Sequence, residues 1–351
     1  MESLLSYFDY STSSQLKHRP CFVIAEVAQA HEGSLGLAHS FIDAVAETGA
    51  NAIKFQTHIA EAESTINESF RVDIFPQDKS RYEYWKRMEF NNEEWIQLAK
   101  HAHEKNIIFM SSPFSLQAVD LLTNLGIQGW KVGSGEVFNQ ELLNKILKTR
   151  KPLLISTGMS MEKDIDNLVK ILEKEKNYYA LMQCTSKYPT NLEEVGLNIM
   201  HQYKRKYNCL NGLSDHSGTV YPGLAAMAQG ADFLEVHVTF DKKMFGPDTS
   251  SSILIDELSL ICKARDAFYV LNNQPLDKDE ISQKLNATKK LFGKSLTLKE
   301  NSKKNTIITE DMITLKKPGT GIQALQKNQL LGKKLLKDKN ANEILEWSDF
   351  Q

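Results

Sequence analysis

Apolar and polar positions follow a regular order along the chain, in which short apolar runs are separated by segments of helical length. The eight runs are residues 21–27, 51–56, 107–112, 129–132, 152–156, 178–184, 209–214 and 232–238. Between the runs, apolar residues recur at helical spacing, as at Leu116, Val119 and Leu122. Eight repeats of strand and helix predict an α/β fold that closes into a parallel (β/α)8 TIM barrel; a doubly wound open sheet is the competing layout.

The pattern also divides the chain into domains. Residues 21–274 form the predicted barrel, and residues 1–20 have no basic segment before an apolar stretch, so we expect a retained, partly ordered lead-in. Residues 275–292 are polar and predict a linker. Residues 293–351 contain short strand-like pieces and predict a small β-rich domain. Its many lysines could help to hold an anionic substrate or could form an ordinary solvated surface.

Composition narrows the class of protein. The formal net charge of −2 and a hydrophobic fraction of 41% argue against a nucleic-acid binder, a disordered chain and a membrane protein. The four cysteines lie far apart without metal-type spacing, so we expect reduced core residues in a cytoplasmic protein. No nucleophile elbow, P-loop or dinucleotide fingerprint is present, which disfavours nucleotide chemistry.

Polar residues end the predicted strands, and a barrel would bring them to one rim. Lys54 and Lys131 stand in apolar surroundings, where an ammonium group without an anion is costly. Four serines could add hydroxyl donors at the same rim: Ser112, Ser134, Ser156 and Ser214. The pattern predicts a cradle for a phosphate or a carboxylate, whereas surface lysines at strand ends are the alternative.

Two histidines follow neighbouring strands. His216 lies just beyond the seventh strand and His237 near the end of the eighth, and neutral imidazoles at such positions can ligate a divalent ion. We expect Glu26 or Asp215 to complete or orient the ligand shell, with Glu235 also close by. The alternative is a pair of ordinary core histidines.

Other polar side chains near the rim have weaker patterns. Glu136 and Asp248 are candidates for hydrogen bonds to sugar hydroxyls or for proton transfer, although isolated loop acids are commonly turn residues. Tyr188 could pack against a substrate or cap its strand. His31 and His58 are interpreted as loop histidines.

The motifs resemble those of one known family. They read IAEVAQAHEGS, ANAIKFQTH, SSPFS, WKVGSGE, ISTGMS, QCTSKYPT, GLSDHSG and LEVHVTFD, followed by FGPD. In this order they are similar to the sialic acid synthase family, which makes nonulosonic acids. The segment KENSKKNTIITEDMITLKKPGTGI resembles the antifreeze-like (SAF) domain that follows the barrel in that family.

The resemblance implies condensation of phosphoenolpyruvate with an N-acetylated aminosugar such as N-acetylmannosamine, giving a nine-carbon 2-keto acid and phosphate by C–O cleavage. It implies Mn2+ or Mg2+ on His216 and His237, with Glu26 close to the metal. Phosphoenolpyruvate would be held by Lys54, Lys131, Ser112, Ser134, Ser156, Ser186 and Ser214. The sugar or its proton transfers would use Gln56, Glu136, Tyr188 and Asp248. The family is usually a domain-swapped homodimer whose SAF domain covers the partner's site.

Five positions depart from the family pattern. Ala28 and Ala30 stand where glycine and asparagine are usual, Ser186 replaces a common asparagine, and Val236 replaces a basic residue. Lys317 stands where an arginine commonly reaches into the partner's site, so the charge is kept without the bidentate fork. Two other functions therefore stay open: a different phosphoenolpyruvate-aldose synthase and a catalytically silent protein that binds a sugar or a sugar phosphate.

Overall fold

The computed structural model describes residues 3–9, 19–72 and 77–351. The chain divides into two compact units, residues 1–273 and 274–351. Eight parallel strands build the first unit: β1 Phe22–Ala28, β2 Ala52–Thr57, β3 Ile108–Pro113, β4 Trp130–Val132, β5 Leu153–Ser156, β6 Tyr179–Cys184, β7 Leu210–Asp215 and β8 Phe233–Thr239. Each strand begins and ends within one residue of a predicted apolar run.

The strands close into the predicted barrel. Their hydrogen-bonded order is β3-β2-β1-β8-β7-β6-β5-β4, and β3 and β4 lie side by side, so the sheet curls into a nearly closed cylinder. A short strand β9, Ser252–Leu254, pairs with the end of β8. The (β/α)8 prediction is confirmed, and the open doubly wound sheet is excluded.

Helices follow the strands and cover the barrel. The helices of the first unit are α1 Leu4–Asp9, α2 Leu35–Ala46, α3 Ala60–Glu63, α4 Arg81–Met88, α5 Asn92–Glu104, α6 Leu116–Asn124, α7 Gln140–Leu147, α8 Glu162–Lys174, α9 Leu197–Tyr207, α10 Tyr221–Ala228 and α11 Ile255–Asn273. Several begin at a side chain that accepts a hydrogen bond from a free backbone N–H of the first turn, as Ser115 does for α6 and Asn91 for α5. Among the described residues, no helix is both long and apolar enough to cross a bilayer.

Alternation along the strands separates two cores. On β1, Val23, Ala25 and Val27 face the helices, whereas Phe22 and Ile24 fill the lower barrel interior. Since side chains of a strand alternate between its two faces, the next interior position after Ile24 is Glu26. The same period places polar residues inside at the carboxyl ends of β2 and β8.

The amino-terminal segment contributes a helix to the lower core. Leu4, Tyr7 and Phe8 of α1 are buried against the bottom layer of the barrel interior. The ring of Tyr7 meets Phe22 edge-on at 4.9 Å, and that of Phe8 stacks on Phe233 at 5.6 Å between centroids. The sequence predicted a partly ordered lead-in at this point; residues 10–18 of that lead-in lie outside the described residues.

The second unit has its own small core. It contains α12 Lys278–Lys284, α13 Asn286–Phe292, the antiparallel strands β10 Ser295–Leu298 and β11 Ile313–Lys316, and α14 Lys327–Leu330. Leucine and isoleucine side chains such as Leu298, Leu335 and Leu345 are fully buried in it. The segment predicted as a polar linker, residues 275–292, contains two short helices, α12 and α13, and Asp277 caps the first by accepting from two backbone N–H groups.

Candidate active site

A cavity of about 470 Å³ opens at the carboxyl ends of the barrel strands. It brings together fourteen of the residues predicted from sequence: Glu26, Lys54, Gln56, Ser112, Lys131, Ser134, Glu136, Ser156, Ser186, Tyr188, Ser214, His216, His237 and Asp248. Lys317 belongs to the second unit, where its ammonium lies 5.3 Å from the ring centroid of Phe292.

Two lysines and two glutamates form the floor of the cavity. Lys54 Nζ pairs with Glu26 and lies 3.9 Å from Glu235 Oε2, while Lys131 Nζ lies 3.4 Å from Glu235 Oε1. None of the four is more than 3% exposed. Burial raises the pKa of Glu26. Burial by itself would raise the pKa of Glu235 as well. The positive charges of Lys131 and Lys54 outweigh this effect and lower the pKa of Glu235 to about 2.

Hydroxyl groups join the lysines. Lys54 Nζ donates to Ser112 Oγ at 3.2 Å, and Lys131 Nζ donates to Ser156 Oγ at 2.7 Å. Ser134 Oγ accepts the backbone N–H of Gly158 at 3.0 Å. The predicted cradle therefore has ammonium and hydroxyl groups held by buried contacts, which suits a phosphate or a carboxylate.

The two histidines stand at one side of the cavity with ring centroids 5.1 Å apart. His216 Nδ1 lies 3.0 Å from the carbonyl oxygen of Thr185, so Nδ1 donates and Nε2 keeps its lone pair. His237 Nδ1 is buried without a hydrogen-bond partner among the described residues and lies 4.0 Å from Asp248 Oδ2. Burial lowers the pKa of His237, which favours the neutral form that ligates metals.

The acids expected around these histidines lie elsewhere. Asp215 does not line the cavity; its carboxylate accepts from the N–H and the Oγ of Ser217, and burial raises its pKa to about 6. Glu235 lies between the lysines, and Glu26 pairs with Lys54. Within the described ranges, no group of three His, Cys, Asp or Glu side chains is arranged to hold an ion. The two imidazoles are the candidate ligands, and a divalent ion on them would need further oxygen ligands from substrate or water.

The wall beside the histidines is polar and aromatic. The centroid of the Tyr188 ring lies 4.2 Å from that of His216, and the Arg71 guanidinium lies 4.2 Å from the same Tyr188 centroid. Arg71 also pairs with Asp248. Glu136 is half-buried, and burial raises its pKa. Rings, carboxylates and a guanidinium together offer the contacts that a polyhydroxylated ligand needs.

Only one of the barrel departures from the family pattern lines the cavity. Ser186 does so, whereas Ala30 and Val236 pack in the core between strands and helices. Ala28 takes a left-handed φ of 48°, which explains why glycine is favoured at that position.

Sequence reasoning missed several cavity residues. Gln29, Glu63 and Arg71 come from the exit of β1 and from the insertion after β2, for which no strand pattern exists. His58 was interpreted as a loop histidine, yet it lies in the cavity wall. Its spacing of two from Gln56 is the signal that could have placed both side chains on one face.

Comparisons with known proteins agree with this architecture. Residues 41–274 match the NeuB family, and residues 293–351 match the SAF domain. The chain is 32% identical to N,N'-diacetyllegionaminic acid synthase of Campylobacter jejuni over 92% of this chain and 98% of that protein. It is 32% identical to N-acetylneuraminate-9-phosphate synthase of Homo sapiens, over 85% of this chain and 83% of that protein.

A solved structure shows the same resemblance. The crystal structure of N-acetylneuraminic acid (sialic acid) synthetase from Leptospira borgpetersenii superposes with a TM-score of 0.68 and 28% identity. The match covers 79% of this chain and 96% of that one.

Proposed function

The chain belongs to the NeuB family, whose relatives named above are synthases of sialic-type acids, and from this premise we propose that it condenses phosphoenolpyruvate with an N-acetylated aminosugar. The products are a nine-carbon 2-keto acid and phosphate. The observation that carries the proposal is the floor of the cavity, where two buried ammonium groups with hydroxyl partners face a space large enough for two small substrates.

Phosphoenolpyruvate carries a phosphate and a carboxylate, so it needs fixed positive charge. Lys54 and Lys131 supply that charge, and Ser112 and Ser156 orient the two ammonium groups by accepting their hydrogen bonds. Because the lysines are already paired with Glu26 and Glu235, the floor is close to neutral before substrate enters. The donors are preorganised, and preorganised donors lower the cost of the developing charge.

The sugar occupies the side of the cavity next to the histidines. His216 and His237 would hold a Mn2+ or Mg2+ ion, which supplies Lewis acidity to the sugar aldehyde when bound. Carbon 3 of phosphoenolpyruvate attacks that aldehyde, water adds at carbon 2, and phosphate leaves with cleavage of the C–O bond. Glu136 lines the sugar end of the cavity and serves the sugar's proton transfers, and Tyr188 packs against the sugar.

We also propose that the protein works in the cytoplasm as a domain-swapped homodimer. Exposed apolar side chains follow the carboxyl ends of several strands: Phe138, Met159, Met161, Leu192, Tyr221 and Phe245. Exposed apolar side chains of this kind favour burial against another protein surface. The SAF unit of a second copy would provide that surface and would bring Lys317 to the partner's sugar. Lys317→Ala should then raise the sugar KM more than the phosphoenolpyruvate KM, and the reverse order would remove Lys317 from the sugar site.

Phosphate release tests the proposed reaction. The enzyme is mixed with phosphoenolpyruvate and a panel of N-acetylhexosamines, their 6-phosphates and simple aldose phosphates, with and without Mn2+. Metal-dependent release with an N-acetylated aminosugar is expected. Release with an aldose phosphate alone would indicate a different synthase. No release with any sugar, combined with a melting-temperature shift from one of them, would indicate a binding protein.

A further inference from the structure

A series of polar contacts runs from Gln56 along the cavity wall, away from the two lysines of the floor. Glu63 Oε1 lies 2.5 Å from His58 Nδ1, and His58 Nε2 lies 2.8 Å from Gln29 Nε2. Gln29 Nε2 also donates to Gln56 Oε1 at 2.7 Å, and Gln56 Nε2 donates to Glu26 Oε1 at 2.9 Å. Glu63, His58 and Gln29 have no part in the reaction proposed above.

Two arrangements of hydrogens are compatible with these contacts, because His58 Nε2 lies 3.1 Å from Gln56 Oε1 as well as 2.8 Å from Gln29 Nε2. In the arrangement with a neutral imidazole, the Glu63 carboxylate accepts the hydrogen on Nδ1 and His58 Nε2 is left as an acceptor. Nε2 then accepts one hydrogen of the Gln29 amide, whose second hydrogen goes to Gln56 Oε1. The Gln56 amide is thereby turned so that its nitrogen faces Glu26, and one of its two hydrogens remains for a ligand in the cavity.

The packing around the imidazole makes this arrangement rigid. The His58 ring is stacked between Trp85, at 3.9 Å and 19°, and Phe114, at 4.5 Å and 8°. It is only 5% exposed. Glu63 is itself held, because its second oxygen accepts the backbone N–H of Ile59 at 3.3 Å. Stacking on both faces holds the plane of the ring, and the contact with Glu63 sets which nitrogen faces Gln29 and Gln56.

We propose that Glu63, His58 and Gln29 are positioning residues that orient the Gln56 amide as a donor to an oxygen atom of the acceptor sugar. The inference rests on the proposed function only for the identity of that ligand. It assigns the orientation of Gln56 to a carboxylate–imidazole pair in the cavity wall, which takes no part in the proposed reaction steps. Such pairs fix the tautomer of the imidazole and thereby the groups that it contacts.

Three variants separate positioning from simple packing. Glu63→Gln keeps the shape but removes the constraint on the tautomer, and His58→Phe keeps the aromatic stack but removes both nitrogens. Each should raise the sugar KM by about tenfold, the value of one well-placed hydrogen bond, while the phosphoenolpyruvate KM changes less than about twofold. Glu61→Gln is the matched control, because Glu61 is an exposed residue of the same helix α3 that pairs with Lys86. It should leave both constants unchanged.

A spectroscopic measurement decides the inference without turnover. In protein labelled with 15N at its nine histidines, His58→Phe identifies the His58 signals. The expected wild-type spectrum has the hydrogen on Nδ1 and a bare Nε2, and Glu63→Gln should yield a mixture of the two tautomers. A hydrogen on Nε2 in the wild type, or equal KM changes for both substrates, would overturn the positioning role. Absence of turnover in the wild type would overturn the proposed reaction instead, while the tautomer would still test the chain of contacts.

Discussion

Glu235→Gln changes the charge balance of the cavity floor while keeping its shape. The carboxylate of Glu235 lies 3.4 Å from Lys131 Nζ and 3.9 Å from Lys54 Nζ, and it accepts a hydrogen bond from Ser214 at 2.9 Å. The amide retains one acceptor oxygen, but it leaves two buried ammonium groups with only Glu26 as counter-ion. Breaking a buried ion pair costs about 3–5 kcal/mol, so the free energy of unfolding should fall by that amount without ligand.

The same substitution should strengthen anion binding. Removing a unit negative charge that lies about 6–8 Å from a bound anion should strengthen binding by about 2–3 kcal/mol at an effective dielectric constant of 20. This corresponds to a Kd that is roughly thirtyfold lower or more. Inorganic phosphate should therefore stabilise Glu235→Gln at much lower concentrations than it stabilises the wild type. Because only the native state offers this site, the stabilisation rises with the ratio of phosphate concentration to Kd.

The assay is urea unfolding at a series of phosphate concentrations. Asp215→Asn is the control, since Asp215 is a buried carboxylate at the same rim that touches neither lysine nor the cavity. Its phosphate response should equal that of the wild type. If Glu235→Gln is as stable as the wild type without phosphate and shows no stronger response to phosphate, the description of a charge-balanced anion site is refuted.

Three further predictions concern the metal site, the core and pH. His237→Ala should abolish Mn2+-dependent phosphate release while the protein remains folded, whereas the exposed His201→Ala should retain that release; unchanged activity in His237→Ala would refute the ligand role. Leu4→Ala should lower the free energy of unfolding by about 2–5 kcal/mol in urea, against less than about 0.5 kcal/mol for the exposed Leu5→Ala, and equal effects would remove α1 from the core. Burial lowers the pKa of His31 from 6.5 to about 3. Because the unfolded chain takes up a proton at this histidine below pH 6.5 and the folded protein does not, the free energy of unfolding should fall by about 1.4 kcal/mol per pH unit from pH 6.5 down to about pH 3. His31→Phe should remove that part of the acid dependence, and identical slopes for both proteins would contradict it.

The barrel could be predicted because its strands are buried on both faces. Continuous apolar runs such as residues 152–156 differ sharply from the amphipathic helices between them, and the polar residue that ends each run marks the rim. The cavity residues Lys54 and Lys131 were found for this reason. Their roles in binding remain predictions.

The remaining features depend on contacts that local pattern does not contain. Helix α1 is six residues long, and its place in the core follows from complementarity to Phe22 and Phe233. The partners of Glu235 depend on the register of β8 against its neighbours, which alternation alone leaves open. The contacts of His58 come from Trp85 and Phe114, which lie on separate segments of the chain.

The central claim is that one cavity joins phosphoenolpyruvate to an aminosugar. Mass spectrometry of products made from phosphoenolpyruvate labelled with 18O at the bridging oxygen tests it most directly. The account predicts an unlabelled nine-carbon 2-keto acid and phosphate that carries the label. A labelled keto acid, or the absence of any nine-carbon product with every N-acetylhexosamine offered, would contradict it.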